Sequence, residues 1–469
     1  MAIKCTALSA GCGCLVLSFL AASLAVGAAE PDRIVVDFSK EVGRIRPLNG
    51  VCNTTPLTGG LDAQVRKLEI PIFRFHDAAL ENPGYQLVDI SRVFPLFHAD
   101  ADDPRNYNFK ATDDYLRQCV DMGAAIEFRL GESIEHGVNK YAVNPPPDFE
   151  KWADICCHII RHYNEGWANG FKWDIRLWSI WEEPDTNPQL LTGKNPFVDT
   201  YLPLYKATAT RIKRVFPHLK VCGPQGVRTM NLKPFVDYCA ANKLPLDVYA
   251  ISGCQRDPEG YAEMVRETRA YLDKTGYRDT QISIVEWHWA PQGWDIWADP
   301  KNARLSKAWS ASICNLDSGA FAAAMLSHMQ DTPVDYMFFY TMRSGTFGLF
   351  GGNNLPLPSY WAFLAFAQLA RGDVRVAAPL RPRAGWWTLA SKETKSGRGR
   401  LLVTALRSDG LPGPIVLKGG VKPVSVKVFD SAHDLEEIAE WAWDVERQEL
   451  SIPRNVGDST IWLVETKPL

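Results

Sequence analysis

Two hydrophobic patterns alternate along most of the chain. From about residue 47 to residue 372, short apolar runs of β type are separated by longer stretches in which apolar residues recur at helical spacing. This alternation is expected of parallel βα units. We interpret eight of the short runs as strands: 47–53, 71–76, 124–130, 174–181, 219–224, 246–252, 281–287 and 334–341. Helical patterns cover 111–122, 148–163, 200–215, 258–274, 303–328 and 359–369.

Eight such units predict an α/β fold, a closed (β/α)8 TIM barrel over residues 47–372, with its active site at the C-terminal ends of the strands. Residues 373–469 instead contain short alternating runs separated by Gly, Pro and Asp, which predicts an accessory antiparallel β-sandwich domain. Residues 29–46 hold one apolar run without a helix of its own. We therefore expect them to add a strand to the β-sandwich.

The composition adds limits on partners. The chain has 469 residues, 46% of them hydrophobic, and a formal net charge of -3. This content suffices for a barrel-sized core and a smaller domain. Because the balance is slightly acidic, we expect neither nucleic acid nor an anionic membrane as a partner. The oligomeric state is not indicated.

The N-terminus has the features of a secretory signal peptide. Lys4 precedes an apolar run over residues 15–26, and the small residues Gly27, Ala28 and Ala29 follow. This order is typical of a leader that is cleaved on export. We therefore interpret residues 1–28 as a signal peptide and expect a secreted or periplasmic protein.

Two glutamates stand out because each ends a short apolar run. Glu183 follows the fourth predicted strand, and Glu286 lies near the end of the seventh. In a barrel both would point into the same opening, and no other acid in the chain has this placement. Cleavage of a glycosidic bond requires one carboxylic acid to protonate the leaving oxygen and a second carboxylate to attack carbon or activate water. The pair predicts a glycoside hydrolase acting on an oligo- or polysaccharide.

Several motifs carry a family resemblance. Trp-Glu-Glu-Pro at 181–184 resembles the Trp-Asn-Glu-Pro motif of retaining barrel glycosidases, and Ile-Val-Glu-Trp-His at 284–288 resembles their nucleophile strand. Phe-Arg-Phe-His-Asp at 73–77 and the segments 345–351 and 356–362 add to the similarity. On these motifs the chain resembles family 39 of the glycoside hydrolases, which contains β-xylosidases and α-L-iduronidases. The resemblance implies double displacement with retention, with Glu183 as acid/base, Glu286 as nucleophile and no cofactor or metal.

The chain departs from that family pattern at two positions. Glu182 stands where the family has an Asn that holds the sugar 2-hydroxyl. Two interpretations stay open: Glu182 approaches Glu183 and raises one of the two pKa values, or it turns toward a neighbouring arginine. Ser252 stands where the family places a His that supports the nucleophile, and we expect its hydroxyl to donate to Glu286.

Three arginines lie at or near strand ends and suggest an anionic substrate. These are Arg74, Arg129 and Arg343. A guanidinium suits bidentate recognition of carboxylate or sulfate, so a uronic or sulfated glycan is one hypothesis. The alternative is that each arginine neutralises a nearby acid of the protein. Arg74 matches a family position, so Arg129 and Arg343 carry the hypothesis.

Other residues at the predicted opening complete the candidate site. We expect His76 to bind sugar hydroxyls or to orient a carboxylate, with a buried core histidine as the alternative. Trp287 and His288 offer stacking faces beside Glu286. For Tyr340, at the eighth strand, two interpretations stay open: contact with Glu286 or the sugar ring, and ordinary filling of the barrel. Two rival functions stay open: a glycan-binding protein on a catalytically degenerate barrel, and a two-glutamate barrel glycosidase of another family.

Overall fold

The computed structural model describes residues 33–54, 60–75, 87–134, 144–185, 197–227, 232–293, 300–342, 345–408, 413–454 and 457–469. The strand β1 (Ile34–Gly43) precedes a closed barrel of eight parallel strands. The barrel strands are β2 (Gly50–Cys52), β3 (Ile72–Phe75), β4 (Ala125–Leu130), β5 (Leu177–Ile180), β6 (Lys220–Gly226), β7 (Val248–Ser252), β8 (Gln281–Trp287) and β9 (Tyr336–Phe339). The predicted (β/α)8 fold is confirmed.

Helices follow the barrel strands along the chain. They are α1 (Asp62–Lys67), α2 (Ile90–Val93), α3 (Lys110–Asp121), α4 (Phe149–Asn164), α5 (Leu202–Val215), α6 (Leu232–Asn242), α7 (Pro258–Lys274), α8 (Ala303–Ser312), α9 (Leu316–His328) and α10 (Pro358–Ala370). Single 3-10 turns occur at Pro104–Asn106, Trp167–Asn169, Pro300–Asn302, Met329–Asp331 and Gly345–Phe347, and a π turn at Phe197–Tyr201. None of the helices in the described ranges is both long and apolar enough to cross a membrane.

Local sequence explains where these helices begin. The Asp148 carboxylate accepts hydrogen bonds from the backbone N–H groups of Glu150 and Lys151 at the start of α4, and Asp257 accepts from Gly260 in α7. Such caps satisfy N–H groups that have no partner within the helix. The face of α4 that contains Trp152, Ile155 and Ile159 is buried in the main core.

One helix prediction was wrong in its extent. The pattern over 303–328 predicted a single helix, whereas the chain forms α8 and α9 with a break at Ile313 to Asn315. Asn315 caps the second helix, because its side-chain oxygen accepts a hydrogen bond from the backbone N–H of Asp317. An Asn that bonds the backbone in this way competes with helix continuation.

The remaining strands form a second, ten-stranded sheet. They are β10 (Val374–Ala377), β11 (Trp386–Lys392), β12 (Gly399–Ala405), β13 (Ile415–Lys418), β14 (Val421–Phe429), β15 (Asp434–Glu437), β16 (Ala442–Asp444), β17 (Glu449–Ser451) and β18 (Thr460–Pro468). The order is β15-β14-β18-β12-β11-β10-β1-β13-β17-β16. The sheet is antiparallel except for the parallel pair β1–β13, and it curls around its own apolar core.

The sheet domain contacts the barrel close to the end of β8. Arg407 forms an ion pair with Asp317 of α9 at 2.7 Å, and its guanidinium lies 4.6 Å from the centre of the Trp289 ring. Trp289 follows β8 by two residues and is buried. The accessory sheet therefore packs against the segment that follows Glu286, at Trp289.

Candidate functional site

Three glutamates converge at the C-terminal ends of β5 and β8. One carboxylate oxygen from each of Glu182, Glu183 and Glu286 lies within 4.8 Å of the other two. Glu182 is buried, whereas Glu183 and Glu286 are partly exposed. The backbone conformation contributes to this convergence, because Trp181 (φ 69°) and Glu183 (φ 37°) both lie in the left-handed region. This conformation is uncommon for residues with a side chain, and such residues occur often at functional sites. This turn departs from strand alternation, so two consecutive glutamates reach one cluster.

Arg74 of β3 binds the carboxylates at the centre of the site. Its Nη2 lies 2.6 Å from Glu182 Oε2, and its Nη1 lies 3.4 Å from Glu286 Oε1. The Arg74 side chain is fully buried. Glu182 therefore turns toward an arginine, as one interpretation had it, and it also approaches Glu183 to within 4.8 Å, as the other had it. Arg74 neutralises acids of the protein.

Two further members of this network were missed by the sequence reasoning. Glu127 pairs in register with Arg74 on the neighbouring strand and lies 3.4 Å from Arg74 Nε, and Arg74 donates to the side-chain oxygen of Gln225. Ser179 donates to Glu127. The signal was present: Glu127 is a single acid inside the apolar run of β4, as Glu286 is in β8.

The charges of the network reinforce one another. Burial lowers the pKa of Arg74, but the negative charge of Glu182, with contributions from Glu127 and Glu286, outweighs it and raises that pKa above its usual value. The guanidinium therefore remains charged. Because it is a buried cation, it can hold several carboxylates at fixed positions, at a desolvation cost that only close pairing offsets.

Ser252 binds a different glutamate from the one predicted. Its hydroxyl donates to Glu183 Oε1 at 2.9 Å. The prediction that it donates to Glu286 is wrong, because the side chain points across the opening although its backbone pairs with Glu286 in register. Ser252 is therefore a neighbour of the residue expected to be the acid/base.

Trp287 and His288 are both buried at the C-terminal end of β8. The Trp287 ring is fully buried and packs against Phe339 at 5.0 Å and Phe363 at 6.2 Å between ring centres. This packing contradicts the stacking role expected for Trp287, since no ring face is open to a sugar. Strand alternation is the reason: Glu286 faces the opening and Trp287 the helix layer.

His288 is held by the backbone. Its Nδ1 accepts a hydrogen bond from the Trp289 N–H at 2.9 Å, and the ring is 1% exposed. Burial lowers the pKa of His288 to about 4, partly opposed by backbone hydrogen bonds. A neutral, buried imidazole does not offer the stacking face that the sequence suggested.

Tyr340 follows the last residue of β9 and is nearly buried within the barrel. Its ring meets Phe347 in an edge-to-face contact at 5.9 Å, and it belongs to a small apolar cluster with Cys52 of β2. The geometry fits the barrel-filling role that the sequence left open beside a role in the site.

Arg129 does not face a substrate. Its Nη2 lies 2.7 Å from Asp89 Oδ1, with both side chains fully buried, and it also donates to Ser133. The assignment of Arg129 as an anion-reading residue is therefore wrong; the alternative, neutralisation of a protein acid, holds. The other two predicted binding residues at this opening, His76 and Arg343, lie outside the described residues.

A metal ion would have one candidate place within the described part of the chain. Only Glu182, Glu183 and Glu286 form a group of three potential ligands. Arg74 already binds two of these carboxylates, and a guanidinium competes with a cation for the same oxygens. The eight cysteines of the described residues are free thiols.

Comparisons with known proteins agree with this geometry. The family model for glycosyl hydrolases family 39 matches residues 80–377. A "Beta-xylosidase" of Caldicellulosiruptor saccharolyticus is 23% identical over 370 residues, covering 72% of each chain. A "Beta-xylosidase" of Geobacillus stearothermophilus is 25% identical over 308 residues; that match spans 56% of each chain, a little over half of the relative's length.

Solved structures share the fold. A glucosidase from Croceicoccus marinus superposes with a TM-score of 0.71 at 21% identity, covering 94% of this chain and 100% of the other. A monomeric beta-xylosidase from Caulobacter crescentus CB15 gives 0.67 at 14% identity, with coverage of 94% and 100%. At these identities the likeness concerns the architecture, a barrel with an accessory sheet.

Proposed function

This chain belongs to family 39 of the glycosyl hydrolases, and from that premise we propose that it is a retaining enzyme with Glu183 as acid/base and Glu286 as nucleophile. The observation that carries the proposal is that one carboxylate oxygen of Glu183 lies within 4.8 Å of one carboxylate oxygen of Glu286. Retaining enzymes hold the two carboxyl groups about 5–5.5 Å apart, whereas inverting enzymes need about 6.5–9.5 Å to admit a water molecule.

The roles follow from the contacts of each glutamate. Glu286 lies 3.4 Å from the buried Arg74 guanidinium, and a nearby cation favours the ionised carboxylate that attack on the anomeric carbon requires. Glu183 has a neutral hydroxyl donor, Ser252. A carboxyl group that must lose and regain a proton in each turnover is better served by a neutral neighbour than by a direct ion pair.

We propose a neutral pyranoside as substrate, with aryl β-xylosides as the first probes. Two relatives that share the barrel sequence bear the name beta-xylosidase. The uronic or sulfated glycan loses support because Arg129 is paired with Asp89. The choice of sugar rests on the relatives, and the choice of mechanism on the glutamates.

The test is hydrolysis followed by proton NMR. The mature protein is incubated with aryl β-xylosides, β-glucosides and matched β-glucuronides, and the anomeric signal of the first-formed sugar is recorded before mutarotation. We expect a β-configured product from a β-glycoside. An α-configured first product contradicts the retaining mechanism, and preference for the glucuronide contradicts the neutral substrate.

We also propose that the protein is exported. The support is the leader pattern of residues 1–28 in the sequence. Expression in a bacterial host followed by N-terminal sequencing of the periplasmic fraction tests this: cleavage close to Ala28 supports export, and an uncleaved cytosolic product contradicts it.

A further inference from the structure

Ser252 contacts Glu183 through its side chain and Glu286 through its backbone. Ser252 is the last residue of β7 and is 2% exposed. Its Oγ donates to Glu183 Oε1 at 2.9 Å. Glu183 itself follows β5, so this hydrogen bond crosses the barrel opening from one strand end to another.

The backbone beside Ser252 is tied to the nucleophile strand. Ser252 and Glu286 are paired in register, and the Gly253 N–H donates to the Glu286 carbonyl at 3.1 Å. Gly253 has φ +152° with no atom within 4 Å of an added Cβ, a conformation that glycine adopts readily and other residues rarely. The position of Ser252 is thus fixed by the same strand that carries Glu286.

A fixed donor makes the two oxygens of a carboxyl group unequal. An oxygen that accepts a hydroxyl hydrogen bond is disfavoured as the site of protonation, because the protonated oxygen of a carboxylic acid is a weaker acceptor than its carbonyl oxygen. In Glu183 that oxygen is Oε1, so the proton is directed to Oε2. The family resemblance does not imply this role for Ser252, since the family has a His at the corresponding position and that His supports the nucleophile.

We propose, resting on the function proposed above, that Ser252 is a positioning residue for the acid/base: it holds Glu183 Oε1 as a hydrogen-bond acceptor and so directs the catalytic proton to Oε2. In the first step the Oε2–H bond breaks as the proton passes to the glycosidic oxygen. The bond from that oxygen to the anomeric carbon breaks while Glu286 bonds to the carbon.

The second step reverses the proton's path. A water oxygen bonds to the anomeric carbon, the bond from Glu286 to that carbon breaks, and a proton of the water returns to Glu183 Oε2. Ser252 keeps the same hydrogen bond in both steps. Its removal should therefore affect proton donation and proton removal, and leave the attack of Glu286 intact.

The experiment compares Ser252→Ala and Ser252→Thr with the wild-type protein on a phenyl and a 2,4-dinitrophenyl glycoside of the sugar identified above, β-xylosides in the first instance. Phenol leaves only with protonation, whereas dinitrophenolate leaves without it. For Ser252→Ala we expect kcat/KM on the phenyl substrate to fall about tenfold, the value of one hydrogen bond to a charged group, while kcat/KM on the dinitrophenyl substrate is retained.

Two further readouts separate positioning from a structural effect. With the dinitrophenyl substrate, attack of water on the glycosyl-enzyme limits turnover, and this attack needs Glu183 as a base. The kcat of Ser252→Ala should therefore fall. Added azide should restore kcat, since azide attacks without a base. Ser252→Thr, which keeps a hydroxyl, should restore the phenyl activity. Equal losses on both substrates without azide rescue, or a Ser252→Ala variant with wild-type activity, overturn the proposal.

The outcome also distinguishes this inference from the function on which it rests. If wild-type turnover is lost in Glu183→Gln but Ser252→Ala is unaffected, only the role of Ser252 fails. If the wild-type protein hydrolyses none of the glycosides, the function and the role of Ser252 both fail.

Discussion

Arg74 Nη2 lies 2.6 Å from Glu182 Oε2, and neither side chain is exposed to solvent. Arg74 also contacts Glu127 and Glu286, so one guanidinium fixes Glu286 relative to Glu182. The cluster that holds the catalytic geometry is therefore buried and electrostatic.

Glu182→Gln should destabilise the protein measurably. Loss of one partner from a buried ion pair typically costs about 3–5 kcal/mol, but Arg74 keeps two other carboxylates, so we expect about 2 kcal/mol in the free energy of unfolding. Urea denaturation gives the value. The matched control is Asp174→Asn in the exposed pair with Arg176, which has the same 2.6 Å distance and should change stability far less. Equal losses in both variants contradict the burial argument.

Trp287 should matter for stability and little for substrate binding. Trp287→Ala removes a fully buried ring, and such a change typically costs about 3–5 kcal/mol in the free energy of unfolding. Trp287→Phe should retain most of the packing. Its KM should stay within a factor of about two of the wild-type value, since the ring does not touch substrate. Thermal unfolding and steady-state kinetics measure the two effects. A large rise in KM for Trp287→Phe at unchanged stability would restore the stacking role.

His288 should make the protein sensitive to acid. Burial lowers its pKa to about 4, whereas its ordinary value is 6.5. Between these values the unfolded chain binds more protons than the folded one, so the contribution to stability is complete above pH 6.5 and is lost as the pH falls toward 4. The shift corresponds to about 3 kcal/mol.

Urea unfolding between pH 4 and pH 7 tests this dependence. We expect His288→Gln to flatten the acid side of the stability profile and the exposed His218→Gln to leave it unchanged. An identical slope in wild type and His288→Gln would assign the acid sensitivity to other groups.

Arg129 should contribute to the stability of the fold and not to the recognition of a charged substrate. Arg129→Gln leaves buried Asp89 without its ion-pair partner, and we expect a loss of about 3–5 kcal/mol in the free energy of unfolding. The ratio of activity on glucuronide to activity on glucoside should stay at its wild-type value in any folded fraction. A selective loss of glucuronide activity would reinstate Arg129 as a substrate-reading residue.

The architecture and the glutamate pair could be predicted because they depend on local patterns. Short apolar runs marked the barrel strands, and helical spacing marked the helices between them. Glu183 and Glu286 each end such a run. What the sequence could not supply is which side chains meet. Arg129 forms an ion pair with Asp89, forty positions earlier in the chain. Ser252 forms a hydrogen bond with Glu183, 69 positions away.

Side-chain direction at the strand ends was the other source of error. Trp287 and Glu286 are neighbours in the chain but face opposite sides of β8, while Glu182 and Glu183 reach the same cluster because the backbone turns through positive φ at Trp181 and Glu183. Such a turn has no sequence signal comparable to a glycine. Glu127 was overlooked for a different reason, since it lies inside the apolar run of β4 and not at its end.

Covalent trapping of the nucleophile tests the central claim most directly. The protein is incubated with 2,4-dinitrophenyl 2-deoxy-2-fluoro-β-xyloside, digested, and analysed by mass spectrometry. For the wild-type protein we predict one fluorosugar on the peptide that contains Glu286. The same label should form in Glu183→Gln, because dinitrophenolate leaves without protonation, and it should be absent in Glu286→Gln. A label on any other residue, or turnover of aryl glycosides by Glu286→Gln at the wild-type rate, would contradict the assignment.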